Sequence, residues 1–166
     1  MKRLSSFHYL LIFSGIIITW ITACDPVDKR AKAENEEIAR YFANNPSLDF
    51  VQYNSGLYYC EVEAGSGPQV KTHDSAFIKH TIKFLHGTII YTNIGKDDTL
   101  KEPVNEGWLL TGFDEGLSYM HEGGKSILLL PSYLAYGPGG SQEVPGYTPI
   151  LIELNLVKVK PYPFTR

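Results

Sequence analysis

The stretch from Gly107 to Gly137, GWLLTGFDEGLSYMHEGGKSILLLPSYLAYG, constrains the fold of this chain more than any other. Its apolar pair Leu109 and Leu110 predicts the end of a short strand. Thr111 then supplies a hydroxyl where a helix needs an N-cap, and Asp114, three residues later, completes a capping box. The sequence therefore predicts a helix that begins directly after a strand.

The predicted helix is short and has one apolar face. Phe113, Leu117 and Met120 follow the i, i+4, i+7 spacing of a single helix face. Gly116 lies between them and allows close approach of another backbone, and Gly123-Gly124 ends the helix. We expect about two turns of helix whose apolar face packs on a sheet.

The segment after the helix predicts a fully buried strand. Ile127 to Leu130 is an unbroken apolar run, which is typical of a strand covered on both faces. Pro131 lacks the amide proton that a central strand requires, so the strand ends there. Together with the preceding helix, this run predicts a helix that crosses a buried sheet.

Two signatures in this stretch resemble those of the FKBP-type peptidyl-prolyl cis-trans isomerases. The family's Val-Ile-x-Gly-Trp-x-x-Gly-Leu pattern is matched in spacing from Leu109 to Leu117, with Phe113 in place of Trp. Its Ile-Pro-x-x-Leu-Ala-Tyr-Gly signature corresponds to Leu130 to Gly137. The resemblance covers Tyr53 to Lys160 and implies an α+β fold, a curled antiparallel β-sheet of about five strands wrapped around one short α-helix.

The resemblance also implies a proline-binding slot. Phe113 falls where the family places its pocket-floor Trp, and Tyr136 falls where a tyrosine hydroxyl donates to a substrate carbonyl. The Leu109-Leu110 pair falls where a backbone N–H holds the peptide. The catalytic residues implied in this way are Tyr136, Phe113, Leu110, Tyr91 and His80, and the substrate-binding residues are Leu109, Ile90, Val144 and Ile152.

Several positions of the implied slot depart from the family pattern. His80 replaces the first pocket Tyr, and Tyr91 replaces the pocket Asp. Ile90 and Ile152 replace two aromatic walls. The slot stays apolar, which favours proline binding, but the loss of the Asp and the smaller walls predict a looser fit, low or absent turnover and poor macrolide binding.

The chemistry expected of such a slot needs neither a nucleophile nor a cofactor. An X-Pro bond rotates slowly because rotation breaks amide resonance, with a barrier of about 18–20 kcal/mol. The twisted transition state loses the charge separation of the planar amide, so an apolar pocket favours it. The sequence therefore predicts no cofactor. It also predicts no metal site, because the histidines after residue 70 are dispersed and lack a Cys or a paired carboxylate to complete a ligand set.

The N-terminus has the pattern of a bacterial export signal. Lys2 and Arg3 precede an apolar run from Tyr9 to Trp20, which is shorter than the ~20 residues of a membrane-spanning helix. The Ile-Thr-Ala-Cys ending resembles a lipobox, so we expect a signal peptide over residues 1–23 and lipid on Cys24. An ordinary secretory signal is the alternative, and the receiving membrane leaflet stays open.

The rest of the chain divides into a linker, a domain and a tail. Residues 24–49 predict a lipid-anchored linker whose short helix, with Ile38 and Phe42 on one face, either docks on the domain or spaces it from the lipid. Residues 50–160 form the predicted FKBP-like domain, and 161–166 a tail. Within the domain, alternation from Ala76 to Leu85 predicts a strand whose Ile78 face points inward, and the polar segment 93–105 predicts an exposed loop.

Composition limits the partners. Apolar residues make up 43% of the 166, which supports a real core, and the net charge of -3 gives no electrostatic footprint for nucleic acid. We therefore expect an exported, membrane-anchored isomerase that acts on proline-containing polypeptides, similar to the gliding-motility-associated FKBP-like lipoproteins. The alternatives are an inactive FKBP-like binding module with envelope protein partners, and a small-ligand carrier with a deep cavity.

Overall fold

The structure, a computed structural model, describes residues 26–162. The predicted signal peptide and its lipidation site, Cys24, lie outside the described residues, as do residues 163–166 of the predicted tail. None of the helices in the described part of the chain is long and apolar enough to cross a membrane.

The described chain forms one antiparallel sheet and two helices. In chain order the elements are α1 (Pro26–Asn44), β1 (Val51–Gln52), β2 (Tyr58–Glu63), β3 (Ser75–Phe84), β4 (Ile89–Thr92), β5 (Leu100–Pro103), α2 (Thr111–Ser118), β6 (Lys125–Leu130), a 3-10 turn (Ser132–Leu134) and β7 (Ile150–Lys160). The strand order is β1-β2-β6-β7-β3-β4, with β5 paired to β3. The two longest strands, β3 and β7, lie side by side at the centre, and the predicted architecture is observed with two additional short strands.

The inner face of the sheet, defined as the face toward α2, carries the main core. On β3 the alternating residues Ala76, Ile78, His80 and Ile82 are buried, as their period-two pattern predicts. Leu128 and Leu130 of β6 contribute to the same cluster, and Leu117 of α2 packs on it. The unbroken apolar run of β6 thus belongs to a strand that is buried on both faces, as predicted.

Two glycines let α2 lie directly on β6. A Cβ at Gly116 would stand 2.3 Å from Leu128 Cδ1, and one at Gly112 would stand 2.7 Å from Leu130 Cγ. Real Cβ atoms do not approach other heavy atoms so closely, so a side chain at either position would force Leu128 or Leu130 to shift. The predicted close approach at Gly116 is confirmed.

The predicted capping box at the start of α2 is wrong. The N-cap is Leu110, whose carbonyl accepts hydrogen bonds from the N–H groups of Phe113 and Asp114, and no side chain caps the helix. Thr111 is already the first helical residue. The Asp114 carboxylate is buried and accepts the N–H of Asn105 at 3.0 Å, so it fixes the preceding loop instead.

The first helix docks on the outer face of the sheet, defined as the face opposite α2. Ile38 is buried with Leu129 of β6 and Leu151 of β7, and the rings of Tyr41 and Phe42 pack against them. The predicted apolar face of this helix, with Ile38 and Phe42, therefore packs on the sheet. Of the two possibilities for this helix, docking is the one observed.

The polar segment 93–105 is only partly an exposed loop. Leu100–Pro103 forms β5, which pairs with β3 from Ser75 to Ile78. Asn93 and Val104, at the two ends of the segment, have no exposed surface. The sequence Leu-Lys-Glu-Pro lacks a clear apolar alternation, which is why the strand was missed.

Candidate active site

The floor of the predicted slot is assembled as one cluster. Phe113 of α2, Ile152 of β7 and Val144 of the loop before β7 are members of the inner-face core, with exposed fractions of 2%, 0% and 1%. Residues from three separate parts of the chain thus meet under one site. The smaller side chain of Ile152 has not left an open slot, because its neighbours close over it.

The rim of the slot is formed by side chains that keep part of their surface in water. Ile90, Leu109, Leu110 and Tyr136 are half-buried and pack against the same core. Tyr91 is more open, with 41% of its surface exposed. The site is therefore shallow, with rim side chains above a closed floor.

Two hydrogen-bond donors on this rim have no partner within residues 26–162. The Leu110 amide lies just before α2, where the Leu110 carbonyl is already used by the helix. The Tyr136 hydroxyl follows the 3-10 turn, and burial, with Glu143 nearby, raises the pKa of this phenol, which keeps it protonated. Both groups are available to substrate carbonyls, as the predicted roles require, although those roles stay predictions.

His80 lies in the wall between floor and rim. Its ring centroid is 5.3 Å from that of Phe113 and 5.2 Å from that of Tyr91. The side chain is 4% exposed, and its Nδ1 has no hydrogen-bond partner among the described residues. Burial lowers the pKa of His80 to about 4, although Asp98 acts in the opposite direction, so the imidazole is neutral at physiological pH.

Sequence reasoning missed two residues that shape this wall. The Asn93 side-chain oxygen accepts the backbone N–H of His80 at 2.7 Å, and its amide group donates to the Ile78 carbonyl at 3.1 Å. These bonds fix the backbone of β3 beside His80. Leu100 of β5 packs against the same core as the rim. Asn93 directly follows strand β4, a position where Asn usually indicates only a turn.

The chemistry available here is that of an apolar surface with two neutral donors. No group of three or more His, Cys, Asp or Glu side chains within the described chain is placed to hold a metal ion. The wall imidazole is neutral, and the floor is apolar. Such a surface suits a reaction in which an amide loses its charge separation.

The family model for "FKBP-type peptidyl-prolyl cis-trans isomerase" matches residues 66–157, more than half of the chain. The matched region holds every residue of the predicted slot, from His80 to Ile152. It also includes α2 and the central strands of the sheet.

Curated relatives share about a quarter of their residues with this chain. "Photosynthetic NDH subunit of lumenal location 4, chloroplastic" of Arabidopsis thaliana is 27% identical, over 92% of this chain and 74% of the relative. "FKBP-type peptidyl-prolyl cis-trans isomerase FkpA" of Escherichia coli K12 is 28% identical, over 84% of this chain. The chain spans only about half of FkpA, 49% of its length.

Solved structures share the fold. The crystal structure of FkpA from Escherichia coli matches with a TM-score of 0.68 at 24% identity, over 98% of this chain and 76% of that one. A peptidyl-prolyl cis-trans isomerase from Pseudomonas syringae matches with a TM-score of 0.70 at 22% identity, over 82% and 98% of the two chains. These matches confirm the predicted fold class. The chain belongs to the FKBP-type peptidyl-prolyl cis-trans isomerase family, and the predicted enzyme class is thereby confirmed at the level of the family.

Proposed function

We propose that this protein is an exported, lipid-anchored isomerase that accelerates cis–trans rotation of X-Pro bonds in polypeptides folding outside the cytoplasm. The observation that carries the proposal is the convergence of Phe113, Ile152 and Tyr136 on one apolar site. A proline ring rests on the rim, and its preceding amide turns above an apolar floor. Removal from water disfavours the planar, charge-separated amide relative to the twisted one.

The two free donors orient the peptide in this proposal. The Leu110 amide and the protonated Tyr136 hydroxyl each bind one carbonyl of the segment that contains the proline. Each such hydrogen bond contributes about 0.5–1.5 kcal/mol. The substituted walls, Ile90 and Ile152, give less contact with the proline ring than aromatic walls would, so we expect a slow enzyme.

Export and anchoring are supported by the sequence of the N-terminus. The positive start, the short apolar run and the Ile-Thr-Ala-Cys ending are those of a lipoprotein signal. The Arabidopsis relative carries "lumenal location" in its name, which supports export. Cys24→Ser should abolish incorporation of labelled palmitate into the full chain in cells, whereas Cys60→Ser should leave it unchanged.

A protease-coupled assay on a proline tetrapeptide, with the full chain in detergent, tests the catalytic part of the proposal. Acceleration should be present in the wild type and fall about tenfold in Tyr136→Phe, because one hydrogen bond to substrate is lost. Tyr133→Phe is the matched control. Tyr133 lies in the 3-10 turn just before Tyr136, and its hydroxyl donates to the Ser55 carbonyl. Equal losses in both variants, or no acceleration by the wild type, would contradict the proposal.

The alternative is an inactive FKBP-like module that binds an envelope or gliding-motility partner through the same rim. The exposed Tyr91, at the position of the family's pocket Asp, is the observation that favours it. Capture of a defined envelope protein that is lost in Tyr91→Ala, with no acceleration of any proline peptide, would favour this module over the enzyme.

A further inference from the structure

The N-terminal helix contacts the segment that carries Tyr136 through a buried carboxylate. Both oxygens of Glu34 accept hydrogen bonds from Ser132, one from its backbone N–H and one from its hydroxyl at 2.8 Å. Glu34 is 8% exposed and Ser132 is 4% exposed. A carboxylate removed from water is costly unless its oxygens are bonded, so this contact has a defined geometry.

Ser132 in turn holds the backbone on which Tyr136 is mounted. The Ser132 carbonyl accepts the N–H of Ala135 at 2.9 Å and the N–H of Gly137 at 2.7 Å. These two amides flank Tyr136 directly. The position of Ser132 therefore sets the position of the tyrosine.

A second residue of α1 contacts the loop before β7, which is hydrogen-bonded to the segment that carries Tyr136. The Arg30 guanidinium lies 5.4 Å from the centroid of the Tyr147 ring, one helical turn before Glu34. The Tyr147 N–H donates to the Gly137 carbonyl at 3.1 Å. Tyr147 follows Val144 in the loop before β7, so α1 contacts both segments that frame the slot.

We propose that Glu34 is a positioning residue for the isomerase site and that Arg30 is its weaker companion. Through Ser132 and Tyr147 they hold Gly137 from two sides and so fix the direction of the Tyr136 hydroxyl. The inference rests on the proposed function, because it assigns Tyr136 its part in binding substrate. It makes α1 a component of the site, although α1 lies on the opposite face of the sheet.

The test compares Glu34→Ala, Glu34→Gln and the matched control Glu36→Ala in the full chain. Glu36 is an exposed carboxylate on the same helix. Glu34→Ala should lower kcat/KM about tenfold, the cost of one misdirected hydrogen bond. Glu34→Gln should stay within about twofold of wild type, because its oxygen still accepts the Ser132 N–H while its amide donates to the Ser132 hydroxyl.

A double-mutant cycle separates positioning from general loss of stability. Tyr136→Phe should cost about tenfold in the wild type but less than about twofold in Glu34→Ala, because both act through one hydroxyl. Additive losses would overturn the inference. If Glu34→Ala does not fold, Ser132→Ala removes only the hydroxyl contact and should show the same non-additivity at about a threefold loss.

Amide hydrogen exchange tests the contact without relying on activity. The Ala135 and Gly137 amides should exchange about tenfold faster in Glu34→Ala than in Glu36→Ala. Faster exchange in Glu34→Ala, combined with a wild type that shows no isomerase activity, would refute the proposed function and leave the mechanical coupling in place. Unchanged exchange at these two amides would overturn the inference even if the enzyme is active.

Discussion

The two faces of the sheet are built from the same strands but are closed in different ways. On the inner face, α2 packs so closely on β6 that Gly112 and Gly116 lie at the contact, and a large core surrounds this helix. On the outer face, α1 covers a small cluster around Ile38, and Val62 and Ile94 remain exposed along an open cleft of about 410 Å³. The inner helix is an integral part of the fold, whereas the outer helix is added through a few side chains.

This difference shows where each face can adjust. On the inner face α2 approaches β6 closely at Gly112 and Gly116, so we expect a tightly packed floor under the slot. The outer face holds its helix through the Ile38 cluster and the Glu34 carboxylate, and either contact is removable by a single substitution. The inner face is therefore held by packing along α2, and the outer face by a few separate contacts of α1.

Adjacent leucines of β6 give the largest expected contrast between the faces. Leu128 points to α2 and Leu129 to α1, and both have no exposed surface. Leu128→Ala should lower the free energy of unfolding by about 4–5 kcal/mol, and Leu129→Ala by about 3 kcal/mol, because α1 can settle into its cavity. Chemical denaturation measures both, and equal losses would contradict the proposed difference in rigidity.

The buried His80 on the inner face should make the stability of the fold depend on pH. The pKa of His80 on the inner face is lowered to about 4, so below pH 6.5 the unfolded chain binds a proton that the folded chain does not. The stability that depends on neutral His80 is fully present above about pH 6.5 and is lost as the pH drops toward about 4. His80→Phe should flatten this part of the profile relative to wild type.

The control for this measurement is His86→Phe, which changes an exposed ring near the β3–β4 turn. Its unfolding free energy should follow the wild-type slope between these pH values. A wild-type slope that persists in His80→Phe would show that other groups carry the pH dependence. Subtraction of the His80→Phe profile from the wild-type profile removes the contribution of Asp114, because that carboxyl group is present in both proteins. Burial raises the pKa of Asp114.

The smallest expected effect concerns the packing of α2. Gly116→Ala places a methyl group 2.3 Å from Leu128 Cδ1 and should lower the free energy of unfolding by about 1–2 kcal/mol, after the helix propensity gained by Ala. Gly139→Ala is the control, since its Cβ meets no atom within 4 Å. Thermal unfolding that ranks Gly139→Ala as the more damaging change would refute the rigid inner face.

The sequence predicted those features that depend on short repeats. The alternation of β3 and the apolar run of β6 gave the correct strands and the correct inward faces, because a period of two fixes which side chains share a face. The signature from Leu130 to Gly137 pointed to Tyr136, which packs against the inner-face core, while its role stays a prediction. Each of these patterns is contained within about ten residues of the chain.

Features that depend on distant partners were missed or misassigned. Asp114 fits a capping box by spacing, but its carboxylate accepts the Asn105 amide in the folded chain. The buried Asn93 side chain finds its partners in the backbone of His80 and Ile78, 13 and 15 residues earlier. Glu34 and Ser132 are 98 residues apart, and no local pattern links a helix carboxylate to a turn so far along the chain.

If Cys24 carries the proposed lipid, the place where α1 begins would also limit how far the domain can reach. Only Asp25 separates Cys24 from Pro26, so the intervening backbone extends at most about 7 Å. Such a short connection would hold the domain against the bilayer surface. Its clients would then be chains that emerge at, or are tethered to, the same membrane.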